Sequence, residues 1–339
     1  MDRTRTYEEA ATNRQLDKED HSRRPDTDTE MDQQVEEAQE ALLARHAPDT
    51  RVRRVAWSQG ETQVLELGAG PPLLLVHGGL SNAFEWMPIL PALARNHRLL
   101  AVDRPGHGLA DSFDYTGVDL LEHARTFLRD ILDALGLGTV DVVANSMGGL
   151  WSVVFALDAP DRVSRLVLVG APAGITRTVP FQLRVLGLPL IGQPLGRLLM
   201  SKPTRDGDRK FWGQILVAHP EHIDDTLLDA DVASQRRNIE SHLSLLSCVL
   251  DARGLRRRLI LGERWQVLKV PTVFLWGERD AFLPPKEGEA IATRNPNLRV
   301  IRIPSAGHLP WIDDPERVVG EIERFLAYSS SQQAMTSLS

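Results

Sequence analysis

Four short runs of the chain are apolar at almost every position: "PLLLVHGG", "HRLLAVDRPG", "VDVVANSMGG" and "RLVLVGAP". Each has the length of an ordinary strand, and a strand that is apolar on both faces belongs in a sheet covered on both sides. Between the runs the period changes. In "DLLEHARTFLRDILDALG" the residues Leu120, Leu121, Ala124, Phe127, Leu128, Ile131, Leu132 and Leu135 form one stripe at helical spacing. Apolar strands alternating with amphipathic helices predict an α/β chain built on a parallel sheet. Ahead of this set, "RVRRVAWSQGETQVLEL" alternates and predicts an antiparallel pair turning near Gly60. Two later strands, "VPTVFLWG" and "LRVIRIP", and the helix "PERVVGEIERFLAY" complete the pattern.

The pattern divides the chain. Residues 1–50 are dense in mixed charge and predict a mostly disordered arm, within which Val35, Ala38 and Leu42 share the face of a short amphipathic helix. Residues 51–171 and 269–328 carry the strands and form the core. Residues 172–268 lack strand character; leucine-rich stretches such as "FQLRVLGLPLIGQPLGRLLM" predict a helical cap inserted after the sixth strand, read as a lid over a pocket in preference to a membrane-surface helix. Residues 329–339 predict a flexible tail.

Composition narrows the classes. With 339 residues, of which 42% are hydrophobic, the chain can fill one large core and a satellite. A net charge of −7 excludes the concentrated basic surface that a nucleic-acid binder needs. No apolar run reaches the roughly 20 residues of a membrane span, and the N-terminus lacks a signal-peptide core, so a soluble cytoplasmic protein is expected. The single cysteine, Cys248, reads as a buried thiol, and no Cys/His cluster has the spacing of a metal site.

The chemistry is concentrated where "VDVVANSMGG" passes from strand to helix. A sharp strand–helix turn strains its apical residue and lifts that side chain above the sheet, which requires small neighbours two positions away: here Ala144 and Gly148, with Gly149 allowing close helix–strand approach. Ser146 is the apex. A serine hydroxyl needs a base and oxyanion stabilisation to act as a nucleophile. The glycine turn of "HGGLSNAFEW" offers a backbone N–H from Gly79, or next Leu80, to pair with that of Met147. Asp280, after "PTVFLWG", and His308, after "LRVIRIP", follow in the order Ser, Asp, His and lie at carboxyl ends of strands. Glu278 is the competing acid, and His77 reads as a brace of its turn. Asp103 and His107 of "DRPGHG" read as scaffold, and Arg177, Arg184 and Arg197 as lid surface with a capacity to bind carboxylate. Trp86, Trp151 and Trp311 read as packing. For the substrate pocket itself, Trp311, Leu309 and Arg184 are the candidate lining residues.

Together "HGGLSNAFEW", "DRPGHGLAD", "ANSMGG", "LWGERDAF" and "SAGHLPWIDDPE" resemble the α/β-hydrolase superfamily over residues 51–328. The resemblance implies an eight-stranded, mostly parallel sheet flanked by helices, a lid, a Ser-Asp-His triad and no cofactor. A serine at position 146 sets the chain apart from the members that use an aspartate nucleophile. "NSMGG" is also similar to the carbon–carbon bond hydrolases of aromatic ring-fission products, from which the chain departs in "HGGLSNA" and in Leu309 after the histidine. Hydrolysis of a small-molecule apolar carboxylic ester is therefore the expected activity, with C–C hydrolysis of a ketone as the alternative. Acyl transfer, perhydrolysis and a non-catalytic ligand receptor remain open on the same fold.

Overall fold

The computed structural model describes residues 26–188 and 190–336, with side chains from 29 to 327. Helix α1 (Asp26–His46) leads into β1 (Arg51–Trp57) and β2 (Gly60–Leu67), an antiparallel pair joined by a turn that ends at Gly60. Then come β3 (Pro72–Val76), β4 (Arg98–Val102), α2 (Leu120–Ala134), β5 (Val140–Asn145), α3 (Ser146–Asp158) and β6 (Val163–Val169). The cap contributes α4 (Phe181–Leu186), α5 (Gly192–Met200), α6 (Arg205–Ile215), α7 (Asp225–Arg237) and α8 (Ile239–Val249). The core resumes with β7 (Thr272–Gly277), α9 (Pro285–Ala292), β8 (Leu298–Ile303) and α10 (Pro315–Thr336).

The eight strands form one sheet in the order β1-β2-β4-β3-β5-β6-β7-β8, parallel from β4 onward. Alternate residues of the central strands feed two separate cores, as a sheet buried on both faces requires. Leu74, Val76, Val142, Ala144, Leu168 and Phe274 face the core that holds α2 and α3. Leu73, Leu75, Val143, Val167, Val273 and Leu275 face the core that holds α1, α7 and α10. Helix α2 starts as its composition directs: Asp119 accepts the backbone N–H groups of Leu121 and Glu122, satisfying donors the first turn leaves free.

At the two ends the helical face expected of Val35 and Leu42 is present, whereas the disorder expected of the rest of 26–50 and of 329–336 is corrected. From Asp26 the arm is a helix, with Val35 and Leu42 fully buried, Gln39 bonded to Gln63 at 2.7 Å, and Asp32 paired with Arg237 of the cap. Its few apolar residues suffice because the sheet and α7 supply the opposing surface, a tertiary effect that composition does not register. Residues 1–25 lie outside the described residues. The final helix runs on to Thr336, since "SSSQQAMT" contains no Gly or Pro to stop it; residues 337–339 are again outside the description. Among the described residues, no helix is long and apolar enough to cross a membrane.

Candidate active site

The order of the strands reverses at β3, whose neighbours β4 and β5 lie on opposite sides, and the crevice at the carboxyl ends there is where open α/β sheets place ligands. Ser146 stands at this point, between β5 and α3, with φ at +48°, a left-handed conformation that side chains other than Gly rarely adopt. Its surroundings hold it. Asn145 Nδ2 donates to Val169 O at 2.7 Å, and Ala173 N–H donates to Ser146 O at 2.9 Å. A Cβ on Gly148 would sit 2.4 Å from Val76 O and 2.3 Å from His77 O, so the first turn of α3 abuts the end of β3. Gly148 thus makes the closest approach that the sequence pattern assigned to Gly149.

Asp280 lies in the loop after β7 and His308 in the loop after β8. His308 Nδ1 is 2.9 Å from Asp280 Oδ2, which also accepts the Ala171 N–H at 2.8 Å, while Oδ1 accepts the Phe282 N–H at 2.9 Å. The Phe282 ring stacks on the imidazole at 4.0 Å. Nε2 of His308 is buried and has no hydrogen bond among the described residues. Ser146 and His308 line the same cavity without a direct bond between them. Glu278 is exposed and points to no such role. Asp313, whose role no sequence pattern signals, fixes the histidine loop to the cap by accepting the N–H groups of Gly307, Ala218 and His219.

Gly79, Leu80 and Met147 line the cavity beside Ser146, and Leu80 has φ at +57°. This turn is braced from behind. Gly78 N–H donates to Glu85 Oε1 at 3.1 Å, and Gly78 O accepts from Arg104 Nη2 at 2.5 Å and His77 Nδ1 at 2.9 Å. His77 Nε2 accepts the Arg104 N–H at 2.9 Å, so both ring nitrogens are engaged and His77 is a brace. Burial, then the Arg104 charge, pushes its pKa well below the usual histidine value. Arg104 is itself fully buried, lies over the Trp151 ring at 4.9 Å, and is lowered to about 10 by burial. Asp103 is scaffold: its carboxylate accepts the N–H groups of Ala83 and Leu109.

The cavity holds about 480 Å³ under the cap, walled by apolar side chains including Leu183, Leu186, Leu245, Leu246, Val249 and Leu309. Three carboxyl groups also reach it: Glu85, Asp208 and Asp231. Burial raises Glu85 to about 7. Burial raises Asp208 as well, and burial followed by the Asp208 charge raises Asp231. Gln235 Nε2 bridges the pair, 2.9 Å from each. Among the described residues Lys202, which is exposed, is the only Lys or Arg on the wall.

Of the three pocket candidates, Leu309 lines the cavity and two are corrected. Trp311 stands behind the wall, stacked on Trp86 at 4.5 Å with its indole N–H donated to Glu85 O. Arg184 is exposed on α4 and is not on the wall. Arg177 and Arg197 pair with Asp251 and Glu240. Glu85 and Arg104 escaped notice because their roles depend on a backbone turn far away in sequence. Asp208 and Asp231 sit on different cap helices, and only the fold brings them together. Among the described residues no group of three or more His, Cys, Asp or Glu is placed to hold a metal ion.

A sheet of this order, with a serine at the strand–helix turn and a paired Asp and His on the loops that follow β7 and β8, defines the α/β-hydrolase class. The family profile for the alpha/beta hydrolase fold matches residues 71–315, and the chain belongs to that family. An uncharacterized protein of Mycobacterium tuberculosis is 28% identical over 265 residues, 76% of each chain. A 2-hydroxy-6-oxononadienedioate/2-hydroxy-6-oxononatrienedioate hydrolase of Paraburkholderia phymatum is 30% identical over 261 residues, 74% of this chain and 86% of that one. Among solved structures, a carboxylesterase of Bacillus subtilis superposes with a TM-score of 0.70 at 21% identity, covering 88% of this chain and 98% of that one.

Proposed function

We propose that the protein is a serine hydrolase that cleaves a carboxylic ester of a small to medium apolar substrate through an acyl-enzyme. His308 Nε2 takes the proton of Ser146 Oγ as the oxygen attacks the ester carbonyl carbon. The oxyanion accepts the N–H groups of Met147 and Gly79, with Leu80 adjoining. The proton passes from His308 to the departing alkoxide, and a water activated by the same Nε2 then frees the acid and restores the serine. Asp280 holds Nδ1–H and stabilises the imidazolium. The observation that supports this reading best is the state of His308: Nδ1 is committed to a buried carboxylate, and Nε2 is buried and unpartnered in the cavity that Ser146 lines.

The Paraburkholderia relative and the resemblance of "NSMGG" to C–C hydrolases favour the second reading, C–C bond hydrolysis. The name of that relative's substrate describes a dicarboxylate. Here the wall carries Glu85, Asp208 and Asp231 against one exposed lysine. Where ionised, those groups repel a second carboxylate, and the apolar remainder suits an uncharged ester. The test is a kinetic panel of p-nitrophenyl esters from acetyl to decanoyl set beside a vinylogous 1,5-diketone acid. Higher kcat/KM on the esters is expected; preference for the diketone would establish the second reading instead.

A further inference from the structure

The cap presents an apolar face that nothing among the described residues covers. On α4, α5 and the link between them, Leu190 is 96% exposed, Phe181 73%, Leu198 72% and Ile191 57%, and Leu199 joins them. Scattered apolar side chains are ordinary on a surface, but a contiguous set of this size marks a contact. The segment that carries it is basic. From Ala171 to Thr204 the chain contains Arg177, Arg184, Arg197 and Lys202 and no Asp or Glu, although the whole chain has a net charge of −7. Arg177 and Arg197 have carboxylate partners on other segments; among the described residues Arg184 and Lys202 have none.

This face is continuous with the cavity. Exposed Gln182, Leu199 and Lys202 lie on the cavity wall together with Leu183, Leu186 and Met200, so this face and the cavity that Ser146 lines share residues. We propose that the α4–α5 face docks on an anionic phospholipid surface, with the exposed leucines and Phe181 in the acyl boundary, Arg184 and Lys202 at the headgroups, and apolar substrate entering the cavity directly from the lipid. Apolar insertion combined with basic flanks is the chemistry of an interfacial helix. The acidic remainder of the molecule is repelled by the same surface, which orients the basic cap toward it. A second copy fits less well: a two-fold contact would set the unpaired Arg184 and Lys202 of each face against their own equivalents, while Asp251 and Glu240 are already paired with Arg177 and Arg197.

The proposal concerns docking and is tested apart from catalysis. Ser146→Ala protein is mixed at low salt with vesicles of phosphatidylcholine alone or with added phosphatidylglycerol, and binding is read by co-sedimentation. Binding to the anionic vesicles only, weakened by salt, is expected. Leu190→Glu/Leu198→Glu, two exposed positions off the cavity wall, should weaken it at least roughly tenfold while leaving thermal unfolding unchanged and, with Ser146 restored, hydrolysis of a water-soluble ester unchanged. Arg184→Gln/Lys202→Gln should remove the preference for the anionic lipid. Absence of binding to anionic vesicles, equal binding to both kinds, or binding undiminished by the glutamates would overturn the proposal. So would a concentration-dependent dimer that the glutamate variant abolishes, which would assign the face to a second copy. Loss of ester hydrolysis with binding intact would instead count against the esterase reading alone.

Discussion

The Nδ1 atom of His308 lies 2.9 Å from Oδ2 of Asp280, a carboxylate that also receives backbone N–H groups from Ala171 and Phe282. Three donors fix the acid, and the acid fixes the ring. The imidazole is thereby held with Nδ1 protonated, so its basic lone pair is on Nε2 in the cavity.

Asp280→Asn keeps the shape but offers an amide where the ring needs an acceptor and a negative charge. The expected result is a fall in kcat of about a thousandfold or more with KM little changed, read by steady-state ester kinetics.

Arg104 Nη2 binds the carbonyl of the Gly78–Gly79 peptide, whose N–H is that of Gly79. Arg104→Met removes that anchor and should lower kcat by about ten- to a hundredfold, with KM unchanged, because the donor matters most when the carbonyl oxygen has become negative. The melting temperature should hold or rise, since a buried guanidinium with Nε and Nη1 unpartnered is exchanged for an apolar side chain.

Gly148→Ala would drive a Cβ into the carbonyl oxygens of Val76 and His77, both backbone atoms at the end of β3. The expected cost is about 2 kcal/mol or more in denaturant unfolding, together with loss of activity as the turn at Ser146 shifts.

Burial raises Glu85 from an ordinary 4.5 to about 7. Between those values the folded chain holds a proton that the unfolded chain has released, so the contribution of Glu85 to stability falls as pH rises through the window. Glu85→Gln lacks this slope. The unfolding free energy of the variant minus that of the parent should increase from about pH 4.5 to about pH 7 and level off outside it, as measured by urea melts across pH.

What the pattern of residues made legible is what local physics determines. The buried strands, the Leu120 to Leu135 stripe and the tight turn at Ser146 each follow from apolar spacing or small residues within a few positions. Asp280 and His308 can be assigned to the loops after β7 and β8 because each follows a recognisable strand, and the fold brings the two side chains within 2.9 Å. What escaped depends on distant partners. Val35 and Leu42 are buried only because α7 and the sheet cover them; Arg184 was drawn into the pocket on chemistry alone, whereas α4 turns it outward. Arg104 and Glu85 meet at the backbone of one residue, Gly78, which no spacing rule marks.

The central claim is that Ser146 is the nucleophile. Treating the protein with a fluorophosphonate probe and mapping the adduct by peptide mass spectrometry tests it most directly. A single adduct on Ser146, absent in a folded Ser146→Ala protein that has also lost ester turnover, is the predicted result. An adduct on another residue, or turnover that survives the substitution, would contradict it.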